Sequence, residues 1–319
     1  MKMFNINSVF DTSRSILQKI DVPEFKDLGV NIFVKRDDLI HEEVSGNKWR
    51  KLKYNIAQAQ QNRAEGILTF GGAYSNHLVA TASACHQLGL KSIGIVRGDE
   101  LNSESNDTLK KCTNLGMELH FFDRMNYAMR NDYEYLKELK EDFPNYYIVP
   151  EGGANFYGMV GCQEIWDEIP FPVDHLFVAQ GTTTTSCGLL LGNKNTTKIH
   201  VVPVLKGFDA KMEMEKMLYL ATFDNEISLE YLENCTIHAE NHFGGYAKHS
   251  PELIAFIQRM YREFDLPLDH VYTGKAFFAL YEWIKKAENK DDLRNQNIVF
   301  LHTGGLQASH FYKEESNYK

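Results

Sequence analysis

The sequence predicts an α/β protein built on parallel sheet and covered by helices, with a smaller α/β unit inserted into a larger one. Three observations lead there. Short apolar runs rich in Val, Ile and Phe alternate with helix-length stretches, the runs show little strict alternation, and Gly-containing loops join the pieces in order. Continuous apolar runs suit strands buried on both faces, as a parallel sheet requires. Strand, tight loop and helix in succession mark βαβ units.

In chain order the expected strands are residues 30–34, 66–69, 92–96, 118–122, 146–149, 175–179, 198–203 and 298–301. The expected helices are 48–61, with Leu52, Ile56 and Ala59 on one stripe, then 76–88 ending at Gly89, 157–168 and 275–287. Residues 51–155 read as a small inserted α/β domain, and residues 1–50 with 156–319 as the large domain. Open α/β sheets bind ligands at their carboxyl ends and in clefts between domains, so a site is expected there.

A chain of 319 residues is long enough for a sizeable core, and 43% hydrophobic with 24% charged residues is ordinary for a globular protein. A net charge of -9 argues against nucleic acid as the main partner, because phosphate backbones need basic patches. The acidity reads instead as a solvated surface. Cys85, Cys112, Cys162, Cys187 and Cys235 are scattered and form no C-x-x-C pair, which indicates neither a disulfide framework nor a metal site. No window approaches the roughly 20 apolar residues of a membrane span, and the first 17 residues lack a signal-peptide core. The expectation is a cytoplasmic protein with no membrane partner.

Five segments carry chemistry. In the first, Ser45 to Leu52, Lys48 follows a Gly-Asn turn and opens a helix. The positive end of a helix disfavours an ammonium, and a neutral amine is what an aldehyde needs to form a Schiff base. Alone, such a lysine in a basic stretch more often belongs to a solvated helix face. In the second, Gly71 and Gly72 allow a sharp turn before Ser75, Asn76 and His77. Ser75 has the position of a helix N-cap, and also that of a group aimed into the cleft.

The third segment, Gln180 to Gly188, joins a strand to a helix expected to begin near Ser186. Backbone N–H groups, threonine hydroxyls and the helix dipole together suit a phosphate, although the pattern is neither a Walker A loop nor G-x-G-x-x-G. The fourth, Asp269 to Ala276, and the fifth, Val299 to Gly305, each read as an ordinary strand–turn junction. Together they place a tyrosine, hydroxyls and backbone groups at a sheet edge.

This set resembles the pyridoxal 5'-phosphate enzymes of fold type II, the tryptophan synthase β group. Within that group it is similar to the 1-aminocyclopropane-1-carboxylate deaminase and D-cysteine desulfhydrase family, collinearly over residues 5 to 310. The most specific residues are Ser45-Gly46-Asn47-Lys48-x-Arg50-Lys51-Leu52 followed by Gly71-Gly72-x-x-Ser75-Asn76-His77. The resemblance implies two open, twisted, mostly parallel sheets flanked by helices, with the cofactor in the interdomain cleft of a homodimeric lyase acting on a small amino acid. It makes Lys48 the Schiff-base lysine and proton shuttle at Cα. Asn76 would bond the cofactor O3', and Gly181, Thr182, Thr183, Thr184 and Thr185 would hold its phosphate. Ser75, Asn76, His77, Tyr246 and Thr303 would meet substrate, and Tyr246 and Tyr272 would be the active-site tyrosines. Thr273 would stand opposite the pyridine nitrogen.

Thr273 and Thr303 are where the resemblance divides. Deaminases of the family carry Glu and Leu there, and desulfhydrases a hydroxyl residue at both. A carboxylate keeps the pyridine nitrogen protonated, whereas a threonine is expected only to donate to a neutral nitrogen, a weaker electron sink. Sulfide is a good leaving group and needs less help. The expected reaction is therefore β-elimination of D-cysteine to pyruvate, sulfide and ammonia, with ring-opening deamination to 2-oxobutanoate or a cofactor-binding homologue without turnover as alternatives. The chain departs from the family pattern at Thr183 and Ala247, where relatives commonly carry Gly, and at Tyr74, a variable pocket position.

Overall fold

The computed structural model describes residues 10–194, 196–287 and 290–306. The chain opens with β1 (Leu17–Ile20), β2 (Asn31–Lys35) and α1 (Asn47–Gln61). There follow β3 (Gly66–Gly71), α2 (Asn76–Leu88), β4 (Lys91–Arg97), α3 (Asp107–Asn114), β5 (Met117–Phe122), α4 (Arg124–Ala128), α5 (Tyr133–Asp142) and β6 (Tyr146–Val149). The remainder runs through α6 (Phe156–Gln163), β7 (His175–Gln180), α7 (Thr184–Gly192), β8 (Lys198–Pro203), α8 (Ala210–Thr222) and α9 (Asn225–Leu232). It closes with β9 (Cys235–Ile237), α10 (Pro251–Phe264), α11 (Thr273–Lys285) and β10 (Asn297–Leu301).

The strands form two sheets, ordered β1-β2-β10-β7-β8-β9 and β5-β4-β3-β6. All pairs are parallel except β1 with β2. The smaller sheet uses only residues 66–149, and the larger sheet takes strands from either side of them. Side chains of a strand point alternately to its two faces. Along β10, Ile298 and Phe300 enter the core beneath α10 and α11, while Val299 and Leu301 enter the core beneath α6, α7 and α8. Along β7, Phe177 and Ala179 face the first of these cores and Leu176 and Val178 the second. Both faces are apolar, which is why the runs show no alternation in sequence. The expected two-sheet α/β architecture is present, flanked by helices as anticipated.

Three expected helices differ in extent. Residues 157–168 split into α6, ending at Gln163, and a 3-10 turn at Trp166–Glu168. The helix expected at 275–287 begins at Thr273 and ends at Lys285, because Asp269 caps it from four residues upstream. The helix expected near Ser186 begins at Thr184, so Thr184 and Thr185 lie in its first turn. The expected domain boundary at residues 50/51 falls inside α1.

That helix belongs to both layers. Trp49, Leu52, Ile56 and Ala59 pack with Ile67 of β3, Val149 of β6 and Ala80, Ala84 and Leu88 of α2. On the other side α1 meets α6, where a Cβ on Gly161 would fall 1.9 Å from the Arg50 carbonyl oxygen. Arg50 is fully buried and makes two bidentate pairs. Nε and Nη2 donate to Asp37 at 2.7 Å each, and Nη1 and Nη2 donate to Glu168 at 2.8 Å each. Ser15 Oγ also donates to Asp37 at 2.7 Å, and Lys35 pairs with Glu168 at 2.6 Å. Five donors and two carboxylates thus tie α1 to the turn after β2 and to the turn after α6.

Removing one partner of a buried ion pair strands the other, at a cost of about 3–5 kcal/mol. Arg50→Ala is expected to lower the unfolding free energy by about that much. Arg50→Lys, which cannot bond both carboxylates bidentately, should lose part of it. Urea unfolding followed by circular dichroism measures both; a loss for Arg50→Ala within experimental error would show that the network does not hold α1.

Candidate active site

The N-terminus of α1 is locked against the loop leaving β10. Gly46 has φ +63°, and a Cβ there would lie 1.9 Å from the Thr303 carbonyl oxygen. The Asn47 backbone N–H donates to that oxygen at 3.3 Å. Asn47 Nδ2 donates to Thr185 Oγ1 at 2.9 Å, and its Oδ1 accepts from Lys48 Nζ at 2.8 Å. Lys48, Thr185 and Thr303, far apart in sequence, therefore meet through one asparagine. Burial, reinforced by the neighbouring Lys51 ammonium, lowers the Lys48 pKa to about 7.

The threonine run caps a cradle. Thr183 is the N-cap of α7 but its side chain makes no capping bond. The first N–H groups of a helix have no intrahelical acceptor, so they are available to an anion. Thr183, Thr184 and Thr185 are buried, while Thr182 is partly open and accepts a bond from Lys51 Nζ at 3.1 Å. Burial brings the Lys51 pKa down to about 8. In sequence Lys51 is only part of a motif; its place beside Thr182 makes it a second positive group at the cradle. A Cβ on Gly181 would come 2.8 Å from the Tyr272 ring, so only glycine admits the ring so close to the loop.

Across from this cradle, Ser75 caps α2, its Oγ accepting from Leu78 N–H at a long 3.4 Å. Asn76 and Ser75 are half-buried at the carboxyl end of β3. His77 is buried and turned beneath the loop. Thr69 Oγ1 donates to the Val149 carbonyl at 2.8 Å, so it accepts from His77 Nε2 at 2.9 Å and fixes that tautomer. Burial, and then the Lys48 and Lys51 charges, drive the His77 pKa to about 3. Its Nδ1 is buried and unpartnered among the described residues, so any substrate contact by His77 would run through that atom.

The tyrosines come together on the third side. The rings of Tyr246 and Tyr272 meet edge to face at 6.1 Å. Burial, and then the adjacent Tyr246, push the Tyr272 phenol well up, so it keeps its proton. Tyr246 rides on a loop that Lys275 anchors by donating to the His242 and Gly245 carbonyls, both at 2.8 Å. In the same loop Ala247 has φ +56°, a left-handed conformation that glycine adopts without strain. Tyr74 is largely exposed.

Thr273 departs from expectation. Its Oγ1 donates to Asp269 Oδ2 at 2.6 Å, so its proton is committed to a carboxylate and is not free for a ring nitrogen. Asp269 also accepts from the backbone N–H of Val271, Tyr272 and Thr273. The segment had read as a plain strand–turn junction; an Asp four residues before a Thr at a helix start was the available signal.

The donor set of this cleft suits an aldehyde-bearing phosphate ester: a lysine near neutrality, a helix terminus with a threonine run, and a second lysine beside it. Comparison with known proteins agrees. Residues 17–304 match the family model described as pyridoxal-phosphate dependent enzyme. The chain belongs to that family.

Its relatives narrow the group. It is 31% identical over 302 residues to a Pyrococcus abyssi protein provisionally named 1-aminocyclopropane-1-carboxylate deaminase, covering 91% of this chain and 89% of the relative. It is 28% identical over 305 residues to a Klebsiella pneumoniae protein named D-cysteine desulfhydrase, covering 91% and 92%. A solved structure described as an ACC deaminase homologue superposes with a TM-score of 0.73 at 26% identity, covering 96% of each chain. The chain is thus a pyridoxal-phosphate-dependent lyase or deaminase of fold type II, in the group that carries both names. No helix among the described residues is long and apolar enough to cross a membrane.

The lowered Lys48 pKa has a measurable sign. Below pH 7 the amine is protonated and cannot attack the cofactor aldehyde; above it the amine is free. The rate at which cofactor-free protein captures pyridoxal 5'-phosphate should rise to a plateau with an inflection near pH 7. A rate still rising through pH 9 would show an ordinary lysine.

Proposed function

We propose that this enzyme β-eliminates D-cysteine, or a related small β-substituted amino acid, to pyruvate, sulfide and ammonia. The observation that carries the reading is Thr303, buried at the N-terminus of α1 next to Lys48, where the deaminases of the family carry leucine. A polar substituent can partner a buried hydroxyl, whereas cyclopropane methylenes leave it unpaired at about 1–3 kcal/mol, or roughly 5- to 150-fold in rate. Thr273 does not add to this reading, because its hydroxyl is engaged by Asp269.

Bound in the cleft between the two sheets, pyridoxal 5'-phosphate supplies the electron sink for cleavage at Cα and Cβ. Lys48 holds the cofactor and afterwards moves the Cα proton, a task for which an amine near neutrality contributes about 10²–10⁴-fold. Gly181 to Thr185, with Lys51, hold the phosphate, and Asn76 orients the ring. Ser75, whose capping bond is long, is able to turn its hydroxyl to the substrate carboxylate. Tyr272, which keeps its proton, donates at the leaving group beside the Tyr246 ring. The homodimer is what the family resemblance implies, and the cytoplasmic setting is the expectation from the sequence.

The second reading, ring-opening deamination, is favoured by relatives that carry that name. An assay of the cofactor-saturated enzyme separates the two. The expected result is pyruvate and sulfide from D-cysteine, with 2-oxobutanoate from 1-aminocyclopropane-1-carboxylate slower by one to two orders of magnitude, roughly the unpaired-hydroxyl cost. Thr303→Leu should narrow that gap. No pyruvate from D-cysteine would overturn the proposal.

A further inference from the structure

Thr273 opens α11, and its hydroxyl has one direction left. Oγ1 lies 2.9 Å from the Asp269 backbone N–H, which can only donate, so there the hydroxyl accepts. Oγ1 also lies 2.6 Å from Asp269 Oδ2. The other partners of that carboxyl group are all donors: Val271 N–H at 2.8 Å and Tyr272 N–H at 2.7 Å on Oδ1, and Thr273 N–H at 2.9 Å on Oδ2. A carboxyl group met by donors on every side is an acceptor throughout, and the short contact carries the Thr273 proton towards it. A hydroxyl has one proton and two lone pairs. The proton and one lone pair are used, and a lone pair remains.

We propose that Asp269 is a positioning residue that acts through Thr273. By holding the hydroxyl proton on its own side, it leaves Thr273 as a hydrogen-bond acceptor for a protonated cofactor ring nitrogen. The inference rests on the reading that the cofactor sits on Lys48 with its ring nitrogen at Thr273. A threonine free to rotate donates to a neutral nitrogen; one tethered to a carboxylate accepts from N–H. The Asp269–Thr273 pair thus does through one extra bond what a glutamate does directly.

Two contacts place the pair in the cleft. A Cβ on Gly305 would lie 3.2 Å from Asp269 Oδ2 and 3.9 Å from Asn76 Nδ2, so carboxylate and asparagine flank one glycine. Tyr272, the residue before Thr273, packs on Gly181 of the threonine loop. The Asp269 charge also reaches Lys48, where it opposes the effect of burial. The competing account makes Asp269 a helix cap only, with no influence on the ring. If the pair keeps the ring protonated, the sink is strong, and substrate choice falls to the pocket around Thr303 and not to ring electronics.

Holoenzyme loaded with cofactor labelled with ¹⁵N at the ring nitrogen tests this by NMR, without turnover. The wild type should show a pyridinium resonance, retained in Thr273→Ser and displaced towards neutral pyridine in Thr273→Val and Asp269→Asn. In Asp269→Asn the amide can donate to Oγ1 and release the hydroxyl proton towards the ring. A neutral nitrogen in the wild type overturns the proposal, as does a pyridinium that survives in Asp269→Asn. If Asp269→Asn does not fold, the wild type, Thr273→Ser and Thr273→Val decide. Failure of the label to bind through Lys48 would overturn the cofactor placement itself, a result distinct from a bound cofactor with a neutral ring.

Discussion

Everything in the cleft depends on where α1 sits, and Arg50 fixes that. A guanidinium buried between Asp37 and Glu168 is costly to desolvate, and only near-ideal bidentate geometry with further donors offsets the cost. Ser15 and Lys35 supply those donors. The geometry leaves little freedom: sliding or rotating α1 would break four bonds at once. Lys48 stands two residues before this anchor and Lys51 one residue after it. The apolar stripe of α1 grips the smaller sheet while Arg50 grips the turns of the larger one, so the helix carries the site and joins the layers together.

Burial then sets the chemistry. Three basic groups lie close together in a poorly solvated region, where burial lowers the proton affinity of each and the lysine charges lower that of Lys48 and His77 further. Lys48 falls to about 7, Lys51 to about 8 and His77 to about 3. In water two adjacent lysines would both be charged and unreactive towards an aldehyde. Here one becomes a nucleophile near neutrality, while the other stays largely cationic at the mouth of an anion cradle. An incoming phosphate would meet Lys51 and the α7 terminus together, which suits the cradle to an ester that carries charge at one end and an aldehyde at the other.

Much of this was legible in the residues. The apolar runs located every anticipated strand, because strands buried on two faces need such runs. What escaped were the two edges of the larger sheet. β1 and β9 have four and three residues, too short and too mixed to register as periodic patterns. Helix starts were misplaced where side chains other than the local cap decide them. α11 begins at Thr273 because Asp269 reaches forward over four residues. α7 begins at Thr184 within a threonine run whose weak helix propensity conceals the boundary. The same blindness hid Asp269 behind Thr273: the sequence shows a hydroxyl, but only the fold shows the carboxylate that takes its proton. Lys275 was similarly read as part of a helix, and its two carbonyl bonds hold the Tyr246 loop.

Lys48 has real rivals as the residue that holds the cofactor. Lys51 and Lys275 also have pKa values lowered to about 8 and lie near the same cleft. Protein incubated with pyridoxal 5'-phosphate, reduced with borohydride, digested and read by peptide mass spectrometry identifies the attachment point directly. The cofactor mass is expected on the peptide containing Lys48, and none in Lys48→Ala. The mass on Lys51, on Lys275 or on no lysine would contradict it.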